Sequence, residues 1–123
     1  MMVKIFARFV DAGTGLPLKD SETRVRLYDK DPVNDDFLGE TRLTQEGQAE
    51  WIFPLSAAGS FDSPGEKRPD IYIELIHEGN VYFQSPVSLD MDLDAKNPVT
   101  GEYSGRTRFL GTFNVTRPPS TKR

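Results

Sequence analysis

Apolar residues in this chain mostly recur at every second position, and the alternating runs are separated by short clusters of Gly, Pro, Asn and Asp. That period predicts β-strands with one buried face, and no stretch carries a convincing helical period. Val3, Ile5, Ala7 and Phe9 alternate with Lys4, Phe6 and Arg8 in a first strand that ends at the Asp11-Ala12-Gly13-Thr14-Gly15 turn. A second strand, Glu22 to Tyr28, turns Val25 and Leu27 inward and Arg24 and Arg26 outward. A third covers Leu38 to Thr44 before the Glu46-Gly47 turn, and a fourth, Gln48 to Phe53, places Ala49, Trp51 and Phe53 on one face. Pro54 to Pro69 is the longest connection, with room for one short helical turn at Ser56 to Ser60, and suits a crossover between sheets.

Asp70 to Glu78 and Val81 to Val87 make the clearest hairpin. A three-residue Glu78-Gly79-Asn80 loop pairs Leu75 with Phe83, Ile73 with Ser85 and Ile71 with Val87, which keeps the apolar set on one side. Pro86 cannot donate to a ladder, so this second arm lies at an edge or leaves the sheet there. Val87 to Leu93 alternates again. Arg106 to Val115 is the last strand, with Phe109, Gly111, Phe113 and Val115 expected on one face. The expectation is an all-β, antiparallel two-sheet sandwich of seven to eight strands, with residues 1–116 as one domain and 117–123 as a flexible basic tail.

Composition narrows the chemistry more than the fold. The 123 residues include no cysteine, which removes disulfides, zinc-thiolate sites and thiol nucleophiles, and a single histidine, His77. Lys4 and Arg8 interrupt the first apolar run, and no span of about 20 apolar residues occurs, so neither a signal peptide nor a transmembrane segment is expected and the location expected is cytoplasmic. The net charge of −4 is unevenly spread. Asp29 to Glu40 carries five acids against one lysine, whereas Tyr103 to Arg123 carries five basic residues and no acid. The acidity argues against a nucleic-acid groove, and the basic end reads as a strand with solvated arginines.

The order of motifs resembles the transthyretin-like (prealbumin-like) sandwich modules. The residues that carry the resemblance are DAGTGLPLKDSETRVRLYDKDPVNDD from Asp11 to Asp36, then FLGETRLTQEGQAEWIF, and RPDIYIELI followed by HEGNVYFQSP. These are turn and core-strand features covering about three quarters of the chain, so the resemblance implies a Greek-key sandwich and no activity. The hydroxyisourate hydrolase of that fold needs several histidines and a C-terminal Tyr-Arg-Gly-Ser. This chain has His77 alone and ends Ser120-Thr121-Lys122-Arg123, which excludes that enzyme. Locally, LYDKDPVNDDFLGE also resembles the third calcium loop of the calcium-dependent lipid-binding domains of the protein kinase C and synaptotagmin type. Asp29, Asp31 and Asp36 fill its acidic positions, with one residue fewer between Asp31 and Asp36 than that family usually shows and no matching S-D-P-Y first loop.

The acidic loop is where a ligand is most readily imagined. Asp29 and Asp31, both extended, project from one side about 6.8 Å apart, and Asp35 or Asp36 can return from the Pro32-Val33-Asn34 turn to supply the further oxygens calcium requires. The candidate metal residues are therefore Asp29, Asp31, Asp35 and Asp36, set against a plain solvated turn. In Asp90, Asp92 and Asp94 the outer pair lie about 13 Å apart in a straight strand, too far to share one ion. No catalytic residue and no cofactor-binding residue is expected. His77 reads as a packed or rim histidine, and Trp51 and Phe53 as core rather than a sugar platform. The favoured function is a non-catalytic module acting through protein–protein contact or self-association at sheet edges. The alternative is a calcium-dependent binding module, the only case in which membrane contact is expected; an unrecognised enzyme ranks third.

Overall fold

A computed structural model describes residues 2–30, 33–54, 70–88 and 107–117. Within them the chain forms strands β1 Met2–Asp11, β2 Arg24–Asp29, β3 Asp36–Arg42, β4 Gln48–Pro54, β5 Ile71–His77, β6 Asn80–Gln84 and β7 Thr107–Val115. They build two sheets, ordered β4-β1-β7 and β3-β2-β5-β6. The all-β sandwich read from the alternation is the observed architecture. Among the described residues no helix is long and apolar enough to cross a membrane. Five expected features lie outside the described residues: the Ser56 to Ser60 turn within the 55–69 connection, residues 89–93 of the expected seventh run, the Asp90, Asp92 and Asp94 series, Asp31, and residues 118–123 of the tail.

The core is the sum of the predicted inward rows. Val3, Ile5, Ala7 and Phe9 of β1 are fully buried, and so are Val25 and Leu27 of β2 and Ile71, Ile73 and Leu75 of β5. From β4, Ala49, Trp51 and Phe53 close the other side. The Trp51 indole N–H donates to the Val25 carbonyl at 3.2 Å, a buried hydrogen bond that joins the two sheets through the core. An unpaired indole donor there would cost about 1–3 kcal/mol, so this contact fixes how β4 sits over β2.

Register departs from simple alternation at three places, and each departure moves a side chain. Against β1, β7 spends three steps from Phe109 to Thr112 where β1 spends two from Phe6 to Arg8. The bulge sits at Gly111, whose φ of 128° suits glycine. Phe109 therefore lies on the outer face, half exposed and 4.9 Å from the Phe6 ring, whereas Phe113 stacks on Phe9 at 5.7 Å and Val115 is buried. The expected single row from Phe109 to Val115 is thus split in two. The β1–β7 pair is also parallel, not antiparallel, since the last strand runs in the direction of the first and the intervening strands serve as the crossover.

The hairpin shows the second departure. Its turn is the two-residue Glu78-Gly79, closing on the His77–Asn80 pair, with φ of 51° and 81° as a tight twisted turn demands. A bulge at Tyr82 then restores the expected Leu75–Phe83 pair. Further along, Ser85 N–H donates to the Ile73 carbonyl and Ile73 N–H donates to the Ser85 hydroxyl. Ile71 bridges Ser88 rather than Val87, because Pro86 supplies no N–H and the ladder skips past it. The third bulge lies in β3, where Leu27 pairs Gly39 and Tyr28 pairs Phe37, so that Leu38 adds its side chain to the core. Strand β3 consequently starts at Asp36 and stops at Arg42, two residues earlier at each end than the alternation predicts.

The turn before β4 has almost no tolerance. Gly47 has φ of 74°, its carbonyl accepts from Phe9 N–H at 2.7 Å, and a Cβ there would stand 2.5 Å from the Phe9 carbonyl oxygen. Gly47→Ala is expected to destabilise the fold by about 2–3 kcal/mol, from left-handed strain and backbone overlap together. Gly79, equally left-handed but with nothing within 4 Å of a Cβ, should show the strain alone. Urea unfolding of the two alanine variants checks this, and equal losses would count against the overlap.

Candidate functional site

The outer face of the β3-β2-β5 strands carries an organised set of aromatic and charged side chains. The Tyr28 ring stacks on Tyr72 at 5.2 Å and 16°, and Phe37 packs on its other side at 5.7 Å. This is a three-ring row running across three strands. Phe37 is 56% exposed, while Tyr72 is nearly covered and its hydroxyl donates to an Asp35 carboxylate oxygen. Burial, then Asp35, push the Tyr72 phenol well above its ordinary range, so it stays a donor. Beside the row, Glu40 accepts from Arg26 Nε at 2.9 Å and from Arg24 Nη1 at 3.0 Å. The Arg26 hydrogen bond, opposed by slight burial and supported by Arg24, holds the Glu40 carboxyl below the usual range. Arg26, Tyr28, Phe37 and Glu40 line a cleft of about 500 Å³. A second cleft of about 600 Å³, lined by Glu22, Arg24, Arg26, Arg42, Ile76 and Glu78, shares Arg26 with it.

Of the acidic residues read from sequence, Asp29, Asp35 and Asp36 fall where β2 ends and β3 begins. Asp29 and Asp36 are cross-strand partners at the end of the β2–β3 ladder. Asp29 is only 4% exposed and accepts from Asp70 N–H at 3.2 Å, while Asp35 turns to Tyr72. Asp31 lies outside the described residues.

At the opposite end of β5 stands a constellation that the sequence pattern did not reveal. His77 Nδ1 lies 2.8 Å from Asp20 Oδ2. That carboxylate also accepts from the Thr23 hydroxyl at 2.7 Å and from Glu22 N–H at 3.0 Å. Thr23, with its proton committed to Asp20, accepts from the Tyr82 hydroxyl at 2.8 Å. Thr23 is fully buried, and the Tyr82 bulge is what brings that phenol within reach. Burial alone would push the Asp20 carboxyl up, but Thr23, the Glu22 N–H and His77 outweigh it and hold it below its ordinary value. Asp20 therefore remains an acceptor, and Nδ1 is the nitrogen that donates. The one available signal in sequence was the Asp20-Ser21-Glu22-Thr23 run, which reads as an Asx turn ahead of a strand; nothing local shows that it meets residues 77 and 82.

No protein-family model matches this chain, and no curated protein matches its sequence. Among solved structures it is similar to a 9R-lipoxygenase from Cyanothece PCC8801, with a TM-score of 0.56 and 17% identity. The match covers 99% of this chain and 18% of that one, so the chain spans under a fifth of the protein it resembles. At that identity the likeness is one of fold. It extends the β-sandwich part of the sequence resemblance, and not its transthyretin-like part.

Asp20→Asn tests the buried network. Because the folded-state value is depressed, the stabilisation from ionised Asp20 is fully present above the ordinary carboxylate range and is lost as pH falls through the folded value. The variant should lose about 1–3 kcal/mol at pH 7. Its stability should then decline less steeply than the parent's on acidification below about pH 4. Thermal melting from neutral to acid pH measures both, and parallel profiles would remove Asp20 from the acid response.

Proposed function

We propose that the chain is a non-catalytic β-sandwich module that works by protein–protein contact through the outer face of β3, β2 and β5. The observation that carries this reading is the Phe37–Tyr28–Tyr72 row flanked by the Arg26–Glu40–Arg24 group. Tyr, Phe and Arg are the residues that concentrate binding energy at interfaces, and here Phe37 meets solvent with the stacked Tyr28 and Tyr72 rings behind it. The arginines are already held by Glu40, so less side-chain freedom is lost on docking. Within this reading the module is transthyretin-like, supported by where its motifs fall. The TG-x-P-L turn follows β1, the V-x-L-Y-D run ends β2 and the D-I-Y-I run opens β5. A cytoplasmic setting belongs to the same reading and rests on the cysteine-free sequence.

Sedimentation from about 10 µM to about 1 mM tests the self-association form of this contact. Phe37→Ala should weaken association by about tenfold, equal to about 1.4 kcal/mol. A chain monomeric throughout, or a variant that associates as the parent does, removes this face as a self-association surface.

A second reading is favoured by a different observation. Asp29 and Asp36 oppose each other across the ladder with Asp29 nearly buried, and a cation between them would offset the repulsion of like charges so placed. In this reading calcium is held by Asp29, Asp31, Asp35 and Asp36, and membrane contact follows only with it. Calcium at a hundredfold over its dissociation constant should add about 2.7 kcal/mol to stability. Thermal melting with and without millimolar calcium measures that gain. Asp29→Asn with Asp31→Asn should abolish it, and an unmoved midpoint in the parent eliminates this reading.

A further inference from the structure

The Asp20–His77 pair invites a further question, namely what the other ring nitrogen meets. His77 Nε2 stands 3.7 Å from Glu78 Oε1 and 3.9 Å from Glu22 Oε2. Both separations are too long for a hydrogen bond. They are instead close to the spacing of two atoms bound to one ion, since bonds of about 2.0–2.2 Å at a tetrahedral angle set ligand atoms about 3.4 Å apart. Among the described residues, the set whose ligand atoms all lie within 4.8 Å of one another is Asp20, Glu22 and His77, with Glu78 at its edge.

The geometry points to a divalent transition-metal site, of the kind zinc occupies, with His77 Nε2 and Glu22 as ligands, Glu78 brought in by rotation of its exposed side chain, and Asp20 behind the imidazole. Three features of the arrangement argue for it. The Nδ1–H of His77 is committed to a carboxylate, which fixes the tautomer, orients the ring and directs the Nε2 lone pair outward, as the outer carboxylate does in metal-bound histidines. Asp20 itself is held by Thr23 and the Glu22 N–H, and Thr23 by Tyr82, so the ring is anchored from behind through four residues, three in the loop before β2 and one in β6. The imidazole is largely covered at 15% side-chain exposure, whereas Glu22 and Glu78 are each 44% exposed. The nitrogen ligand is thus rigid, and the carboxylates, on exposed flexible side chains, have the freedom to converge on it.

The donor set selects the class of ion. One imidazole nitrogen with carboxylates favours zinc or a neighbouring first-row metal over calcium or magnesium, which prefer oxygen alone. The local charge favours a cation as well, because Asp20, Glu22 and Glu78 surround a single imidazole. Glu22 and Glu78 come from the loop before β2 and from the β5–β6 turn, so an ion there would tie the hairpin tip to that loop.

Because His77 is the sole histidine, its ring nitrogens give a single pair of resonances in a long-range proton–nitrogen correlation spectrum. Zinc chloride titrated into the whole chain should move Nε2 strongly and leave Nδ1 in its protonated range. Glu22→Gln with Glu78→Gln, both exposed and expected to fold, should weaken the apparent zinc affinity at least tenfold. Asp20→Asn should weaken it by about 10- to 100-fold. Calcium and magnesium at equal concentration should leave the imidazole unmoved. An imidazole unmoved by zinc up to about 1 mM overturns the proposal. So does an affinity unchanged in the double glutamine variant, a calcium response equal to that of zinc, or a zinc-induced rise in melting temperature without any change at His77.

Discussion

The structure depends on the inward row of β1. Val3, Ile5, Ala7 and Phe9 are covered completely, and their strand is bonded on both sides, antiparallel to β4 and parallel to β7. A strand in that position must present one uninterrupted apolar face inward, because a slip of one residue would carry Lys4, Phe6 and Arg8 into the core. Ala7 faces Ala49 across the ladder, a pair of small side chains, and the larger Phe9 fills the end of the sandwich with Phe83 and Phe113. The opposing sheet is then located by the Trp51 indole reaching Val25, so position and depth of packing trace back to the same two strands.

Much of this was legible in the linear pattern, and the reason is physical. Alternation reports which face a residue takes within one strand, so β1, β2, β4 and β5 could be read directly. Bulges are different, because an extra residue is defined only against a partner strand. Nothing in the β6 sequence marks Tyr82 as extra until it is set against Leu75 and Ile76, and the displacement of Phe109 depends on its counting against Phe6 and Arg8. The parallel sense of β7 is equally a property of the pair. Pro86 was the exception: its missing donor is local chemistry, and β6 is an edge strand, as expected, whose pairing skips the proline and resumes at Ser88.

The candidate sites divide along the same line. The acidic residues from Asp29 to Asp36 were visible because they cluster in sequence, and the cross-strand pairing of Asp29 with Asp36 places two of them together. The His77 constellation joins positions 20, 22 and 23 to 77, 78 and 82, and its assembly requires both the β2–β5 ladder and the β6 bulge. A lone histidine offers no periodicity, and its partners are ordinary turn residues until the fold brings them together. The aromatic row is intermediate: Tyr28 and Tyr72 alternate outward in their own strands, but stacking across the sheet follows from register.

The pairing of β1 with β7 also governs the order in which the molecule can assemble. Lys4 meets Thr107, partners more than 100 residues apart in the chain, whereas the β2–β3 and β5–β6 pairs close over short loops. Closure of so long a loop is entropically the most demanding of these steps, and topologies rich in distant pairs fold slowly. During synthesis β1 can acquire β4 early but must wait for the last strand, with one edge open and Phe9 lacking its stacking partner Phe113. The centre of the finished core is therefore the part of the nascent chain left unfinished longest.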